Sequence, residues 1–323
     1  MSITASETLA ANTVTVDAEP KKASEVLTEN SVVVSEGGSS SSVTQTSLSV
    51  TVTDTAAKSV TQEGLSGLIL TQKVDVAPPN EWTPALTTTK LWLDADDATT
   101  ITNVGSNTLQ WDDKSTNDFH ATQGAESEQP DTGLDTQNSK NVLRFSGVEW
   151  MTTGDVNLSS QPTTIFTVAK VRATGLSGRN YVFDGAEGFN QYRNLFALDG
   201  PNNDRPSIWA GTWGSHSNST DANYHVFECH YEGNSSVIGI DADRETVAAS
   251  TNGNLTKGIN IGTNYTDSAD FLDGNIAEIV LIDGTPTTDI RQKIEGYLAW
   301  KWGLQANLPS DHPYKNAAPT VLD

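Results

Sequence analysis

The sequence predicts an all-β fold: an antiparallel sandwich with one C-terminal helix, preceded by a β-rich N-terminal arm. Three observations support it. From Thr83 onward, short apolar runs alternate with Gly, Asn and Asp, the rhythm of strands joined by tight turns. Hydrophobic residues make up only 36% of the 323 residues and glycines number 25, which suits strands and loops better than helices. A single stretch, Pro286 to Trp302, places its apolar residues at helical spacing.

Residues 1–82 form the arm. Ser, Thr and Val dominate it, and Trp82 is the first tryptophan. In "TSLSVTVTD", Leu48, Val50 and Val52 share one face and Ser47, Ser49, Thr51 and Thr53 the other, a strict period of two. "NTVTVDA" and "NSVVVSE" are shorter strands of the same kind, and "EGGSSSS" reads as a flexible linker. Strands so few and small cannot bury a core of their own. The arm is therefore expected to order by pairing with another chain or a larger assembly. Its composition also fits an unstructured tail, and both readings stand at this point. No long fibre repeat or coiled-coil heptad is read in it. "VDVAPPNEWTP" supplies a Pro-rich boundary before the sandwich, residues 83–315, which a short tail, 316–323, follows.

The sandwich strands are read in order as "TTIFTVAKV", "YVFDG", "NLFALDG", "SIWAGT", "YHVFECHYEG", "VIGID", "GINIGT" and "GNIAEIVLIDG". "IAEIVLI" is apolar on both parities, so it should be a central strand covered on both faces. The helix follows it. Thr285 is placed to cap it, Pro286 suits its first position, and Asp289 complements its N-terminal dipole. Ile290, Ile294, Tyr297, Leu298 and Trp302 lie along one broad face with Trp300 at its edge; Gly303 ends the helix and Pro309 and Pro313 prevent its resumption. Such a helix directly after a buried strand reads as a lid on the sheet, with Trp300 and Trp302 as core residues.

Charge narrows the partners. Lys and Arg total 19 against 41 Asp and Glu, a net charge of −22. Nucleic acids and anionic membranes need a basic footprint, so neither is expected as a partner. No apolar run approaches the roughly 20 residues of a membrane span. The first residues have neither the basic nor the apolar region of a secretory signal, so synthesis in a cytoplasm is expected. Cys229 is the only cysteine, which leaves no intrachain disulfide framework.

The segments "TKLWLDADDATTI", "TLQWDDKSTNDFHATQ", "NVLRFSGVEWM", "TIFTVAKV", "FLDGNIAEIVLIDG" and "IEGYLAWKWGLQANLPSDHPYKNAAP" together resemble the concanavalin A-like, laminin G-like jelly-roll domains of bacteriophage structural proteins. The resemblance runs from about Lys90 to Pro319. It implies a two-sheet jelly roll in which the W-x-D-x-S stretch, with Trp111 and Asp113, and the closing helix, with Tyr297, Trp300 and Trp302, are structural signatures. It also implies a place on the virion surface after synthesis in the bacterial host cytoplasm. The expectation is a non-enzymatic virion protein, a capsid decoration protein or head fibre. Its arm would dock on the major capsid protein or another virion protein and support a homo-oligomer, and its lectin-like domain would face host or environmental glycans. The alternatives are a tail fibre or receptor-binding protein, a carbohydrate-active enzyme or adhesin, and a plain structural role.

Each candidate site also has a purely structural reading. The E-x-D-x-x-E strand of related glucanases is missing; Asp241, Asp243 and Glu245 imitate it but lie among turn residues and read as a solvated hairpin. Glu278, alone in an apolar strand, reads as a buried structural acid bonded to an Arg, Lys or Trp N–H. Asp94, Asp96 and Asp97, with Asp112 and Asp113 and the group Asp267, Asp270 and Asp273, offer oxygen ligands for Ca²⁺, against the default of exposed acidic loops. The spacing of His225 and His230 argues against zinc. Trp209, Trp213, His216, Asn218 and Tyr224, clustered in "WAGTWGSHSNSTDANYH", suit stacking on a sugar ring and bonding its hydroxyls, and equally suit structural loops.

Overall fold

The structure is a computed structural model that describes residues 81–323, apart from 176–177, 187–192, 200–203 and 268, together with the backbone of seven short strands within residues 1–80. The chain divides into two compact units, one containing residues 1–81 and the other residues 82–319.

In the first unit the strands are Thr4–Ala5, Thr8–Leu9, Val14–Val16, Lys22–Leu27, Val32–Val34, Ser42–Gln45 and Val50–Val52. Three of them fall where the alternation of Val with Ser and Thr placed them. All seven are paired in parallel with one another, in two sheets. The residues read as the "EGGSSSS" linker lie, apart from Ser42, outside the described residues.

The second unit is all-β with one helix. Its 17 strands, Thr89–Asp94 through Asp273–Asp283, are linked by antiparallel pairing into one sheet that closes on itself. The strand read as central is central. Asp273–Asp283 pairs with Thr163–Val171, Thr89–Asp94 and Lys140–Ser146. Ile276, Ile279 and Leu281 enter the interior core with Trp111, Phe145, Phe183, Phe196 and Phe227, while Ala277, Val280 and Ile282 face a second core under the helix. The side-chain period breaks once. Opposite the step from Val168 to Ala169 the register skips Ala277, a β-bulge. Ile276 and Glu278 would otherwise share a face; the extra residue sends Ile276 inward and Glu278 toward the helix.

The helix spans Thr288–Lys301 and is capped by Thr287, whose hydroxyl accepts from Ile290 N. The cap is two residues later than predicted because Thr287 stands in the N-cap position, three before the Ile290 amide, which leaves Pro286 outside the helix. Gly303, at φ +72°, ends it, and Leu304 N bonds to the Ala299 carbonyl, the left-handed close that favours glycine. Ile294, Leu298 and Trp302 are fully buried against the sheet, and Trp82 and Trp92 meet Tyr297 edge-on. The segment after the helix folds back over it. His312 bonds Glu295, itself gripped by Arg291, and Trp300 Nε1 donates to the Tyr314 carbonyl. Residues 316–319 are also part of this unit, since Trp82 N donates to the Pro319 carbonyl.

Gly296 makes the fold-back testable. A Cβ there would lie 2.6 Å from Tyr314 Cβ and 2.8 Å from Cγ. In an exposed helix, Gly→Ala stabilises by about 1 kcal/mol. Here overpacking reverses the sign, and Gly296→Ala should lose about 1–3 kcal/mol in urea denaturation. A gain would show that Tyr314 is not seated on the helix.

Candidate functional site

The structure separates the residues that the sequence grouped as a glycan site. Trp209 and Trp213 face each other across the hairpin of Arg205–Trp209 and Trp213–Ser215, ring centroids 5.4 Å apart, with the Arg179 guanidinium 4.9 Å from the Trp213 ring. His216 is buried; its Nδ1 accepts from Asn218 N, and Asn218 Nδ2 donates to Asp243. These two residues therefore shape a loop. Tyr224 belongs elsewhere, in the core under the helix.

The metal candidates are also dispersed. Asp94 is paired with Lys114 and Lys301, Asp97 with Lys114, and Asp96 with Lys140. Lys114, with Thr99, holds the Asp97 carboxyl down at about 2. No group of three or more His, Cys, Asp or Glu side chains arranged for a metal is found among the described residues. The expected hairpin at 241–243 is present, with Asp241 and Ala242 at φ +50° and +69°. The solvated reading fails for Asp241. It is buried, accepts from Val226 N at 2.9 Å and meets His225 Nδ1 at 2.6 Å.

Glu278 is a structural anchor. Its Oε1 accepts from Trp92 Nε1 at 2.6 Å and Tyr297 OH at 3.0 Å; its Oε2 accepts from Trp302 Nε1 and Lys301 Nζ, each at 2.8 Å. Burial raises its pKa, opposed by Lys301 and reinforced by Asp94. Four donors converge on one carboxylate, so no oxygen is directed at a ligand. Trp111 is fully buried in the interior core, and Asp113 beside it binds the backbone, accepting from Trp92 N, Ser115 N and Phe119 N.

The arrangement with unused binding capacity lies beside Tyr224. A cleft of about 420 Å³ is walled by Thr136 and Gln137 at a strand end, Lys170 on Thr163–Val171, the loop 221–225, and Leu304 and Asn307 beyond the helix. The loop is stiffened from within: Asp221 accepts from Asn223 N at 2.7 Å and Nδ2 at 2.8 Å. His225 is held between Asp241 on Nδ1 and Asp221, 3.1 Å from Nε2. Burial disfavours its protonation, but the two carboxylates outweigh burial and raise its pKa. Asn307 Nδ2 ties the segment after the helix to Asp241.

Two groups in this cleft are left over. The Tyr224 side chain is 5% exposed, and its hydroxyl has no hydrogen-bond partner among the described residues. Burial, with Asp135 nearby, keeps that hydroxyl protonated. A buried unpaired hydroxyl costs about 1–3 kcal/mol. The Lys170 ammonium sits 4.8 Å from the Tyr224 ring centroid and forms no ion pair among the described residues. An aromatic ring, an unpaired hydroxyl, an ammonium and side-chain amides around a polar cleft are the groups that hold a polyhydroxylated ligand. The sequence reading included Tyr224 and missed the rest. Four separate segments build the wall, and the detectable signal was the polar run "DANYH".

No helix among the described residues is long and apolar enough to cross a membrane. No protein-family model matches the chain, and no curated protein matches its sequence. Similar solved structures are β-rich and distant. A sialidase of Trypanosoma rangeli in complex with sialic acid matches at 13% identity and TM-score 0.42 over 62% of this chain. This chain spans only 32% of that sialidase, about a third of its length. Domain 4 of an extracellular arabinanase from Geobacillus stearothermophilus, in complex with arabinotriose, matches at 13% and 0.42, over 62% of this chain and 94% of that one. The binding domain of Botulinum neurotoxin serotype D matches at 11% and 0.46, over 66% and 53%. These likenesses transfer no residue role to this chain. They do correct one expectation: with a sialidase and an arabinofuranosidase among the matches, the exclusion of enzymatic activity is withdrawn. The sialidase, the arabinanase domain and the arabinofuranosidase among these structures each hold a carbohydrate ligand.

Proposed function

We propose that this protein is a virion surface protein whose sandwich domain recognises carbohydrate in the cleft beside Tyr224. The observation that carries the glycan reading is the unpaired, buried Tyr224 hydroxyl in a polar cleft. A sugar hydroxyl that reaches it satisfies it, and Lys170 and the side-chain amides bond the remaining hydroxyls. The virion reading is supported by the resemblance of Trp111 to Ser115 and of the closing helix to phage structural domains, and by the net charge of −22, which disfavours nucleic acid. Within a virion, a capsid decoration protein or head fibre is favoured, with a tail-associated receptor-binding protein as the second location.

The test is a panel of acidic and neutral oligosaccharides offered to the full chain, with binding measured by calorimetry and cleavage by release of reducing ends. Tyr224→Phe should weaken binding about tenfold, the value of one hydrogen bond. The same change should leave the melting temperature unchanged or raised, because it removes an unpaired buried hydroxyl. Unaltered affinity in Tyr224→Phe, or binding lost instead in Trp213→Ala, would move the site away from this cleft. Cryo-electron microscopy of the virus particle tests the location, and absence of this chain from purified particles would end the virion reading.

A further inference from the structure

The parallel pairing of the arm has one constant. Every partner stands 18 residues further along the chain: Thr4 with Lys22, Thr8 with Val26, Val14 with Val32, Ser24 with Ser42, and Val32 with Val50. The path alternates between two sheets. It runs from the Thr4–Leu9 region to Val14–Val16, returns to the first sheet at Lys22–Leu27, and crosses again to Val32–Val34 before repeating. Parallel strands need a connection of a dozen or more residues. Here each connection in one sheet contains a strand of the other, so the chain climbs one layer with every circuit.

We infer that the seven strands between Thr4 and Val52 stack as a β-solenoid stem with an 18-residue coil, complete within one chain. Such a stack gains stability from neighbouring coils and needs no partner strand. This resolves the shortage of core that each strand shows in isolation. It also gives the arm a function beyond docking, as a spacer that lengthens by about 4.8 Å for every added coil. The sequence keeps the period beyond the last described strand: Leu68, Ile69 and Leu70 stand 18 positions after Val50, Thr51 and Val52.

The period supplies its own control. Deleting residues 19–36 removes one whole coil and brings Val50–Val52 into register on Val14–Val16; deleting 36–40 removes five residues between Val32–Val34 and Val50–Val52 and breaks their 18-residue register. Hydrogen exchange on the full-length chain should show the amides of 50–52 slowed about 100-fold relative to the urea-unfolded chain. That protection should persist in the 18-residue deletion and vanish in the five-residue deletion. Three outcomes overturn the inference: unprotected amides in the intact chain, equal behaviour of the two deletions, or protection that disappears on dilution, which would mean pairing between chains. All three are independent of whether the cleft binds sugar.

Discussion

Glu278→Ala should lower the stability of the sandwich unit by about 3–5 kcal/mol, the usual cost of breaking a buried charge pair from one side. For a domain of this size each kcal/mol moves the melting temperature by about 2–4 °C, so a drop of the order of 10 °C is expected. The reason lies in what remains behind. Trp92, Trp302 and Tyr297 each lose the acceptor for a buried donor, and Lys301 keeps only Asp94 as a counter-charge. Glu278→Gln preserves volume and one oxygen and should cost less. Lys301→Met should cost less again: three neutral donors still solvate the carboxylate, and a raised pKa lets it take up a proton instead. The order Ala, then Gln, then Lys301→Met in guanidinium denaturation is the measurement. A loss below about 1 kcal/mol for Glu278→Ala would show that the helix is held by apolar packing alone.

Asp113→Ala should cost about 3–4 kcal/mol, since hydrogen bonds to a charged acceptor contribute about 1.5–3 kcal/mol each and do not add fully. The carboxylate holds three backbone amides and the Ser115 hydroxyl, which lies 2.6 Å from Oδ2. These bonds tie the turn after Trp111 to the strand Thr89–Asp94. Asp113→Asn keeps one acceptor and should lose about half as much. Ser115→Ala, which removes only the hydroxyl, should lose about 1 kcal/mol. Equal effects from Asp113→Asn and Asp113→Ala would mean that charge, rather than acceptor geometry, makes the site. These variants give the W-x-D-x-S pattern a physical content: Trp111 fills the core and Asp113 organises the backbone around it.

Glu278 was legible in the sequence because an acid in an apolar strand must find donors, and three aromatic residues capable of donating stood in or near the same motifs. The bulge at Ala277 was not legible. An extra residue leaves the apolar pattern intact when both faces are buried, so parity alone could not say which way Glu278 points. Most strands from Thr163 to Asp283 could be read because they are apolar; the polar Asp243–Val247 could not. Asp131–Gln137 could not: it is a polar hairpin strand with Leu134 exposed, defined by its pairing with Lys140–Ser146 and not by burial. The arm gave up its strands and hid its period. Val14–Val16, Val32–Val34 and Val50–Val52 are evenly spaced, but the other side of each coil has drifted too far in sequence, as Leu9, Leu27 and Gln45 illustrate. The cleft was the least legible feature, because its walls meet only in the folded chain.

The bond between Trp92 and Glu278 joins residues 186 positions apart. At a synthesis rate of about 5–20 residues per second, roughly 10–40 s separate the emergence of the two. Throughout that interval the strand Thr89–Asp94 lacks the neighbour that covers it, and the helix that seals its outer face is made later still. Pairings of such long range are also slow to form once the chain is complete. This domain must therefore wait for its end before it can close its beginning, and its yield in a cell depends on how well the early strands are shielded from one another while ribosomes make the more than half of the chain that separates the two.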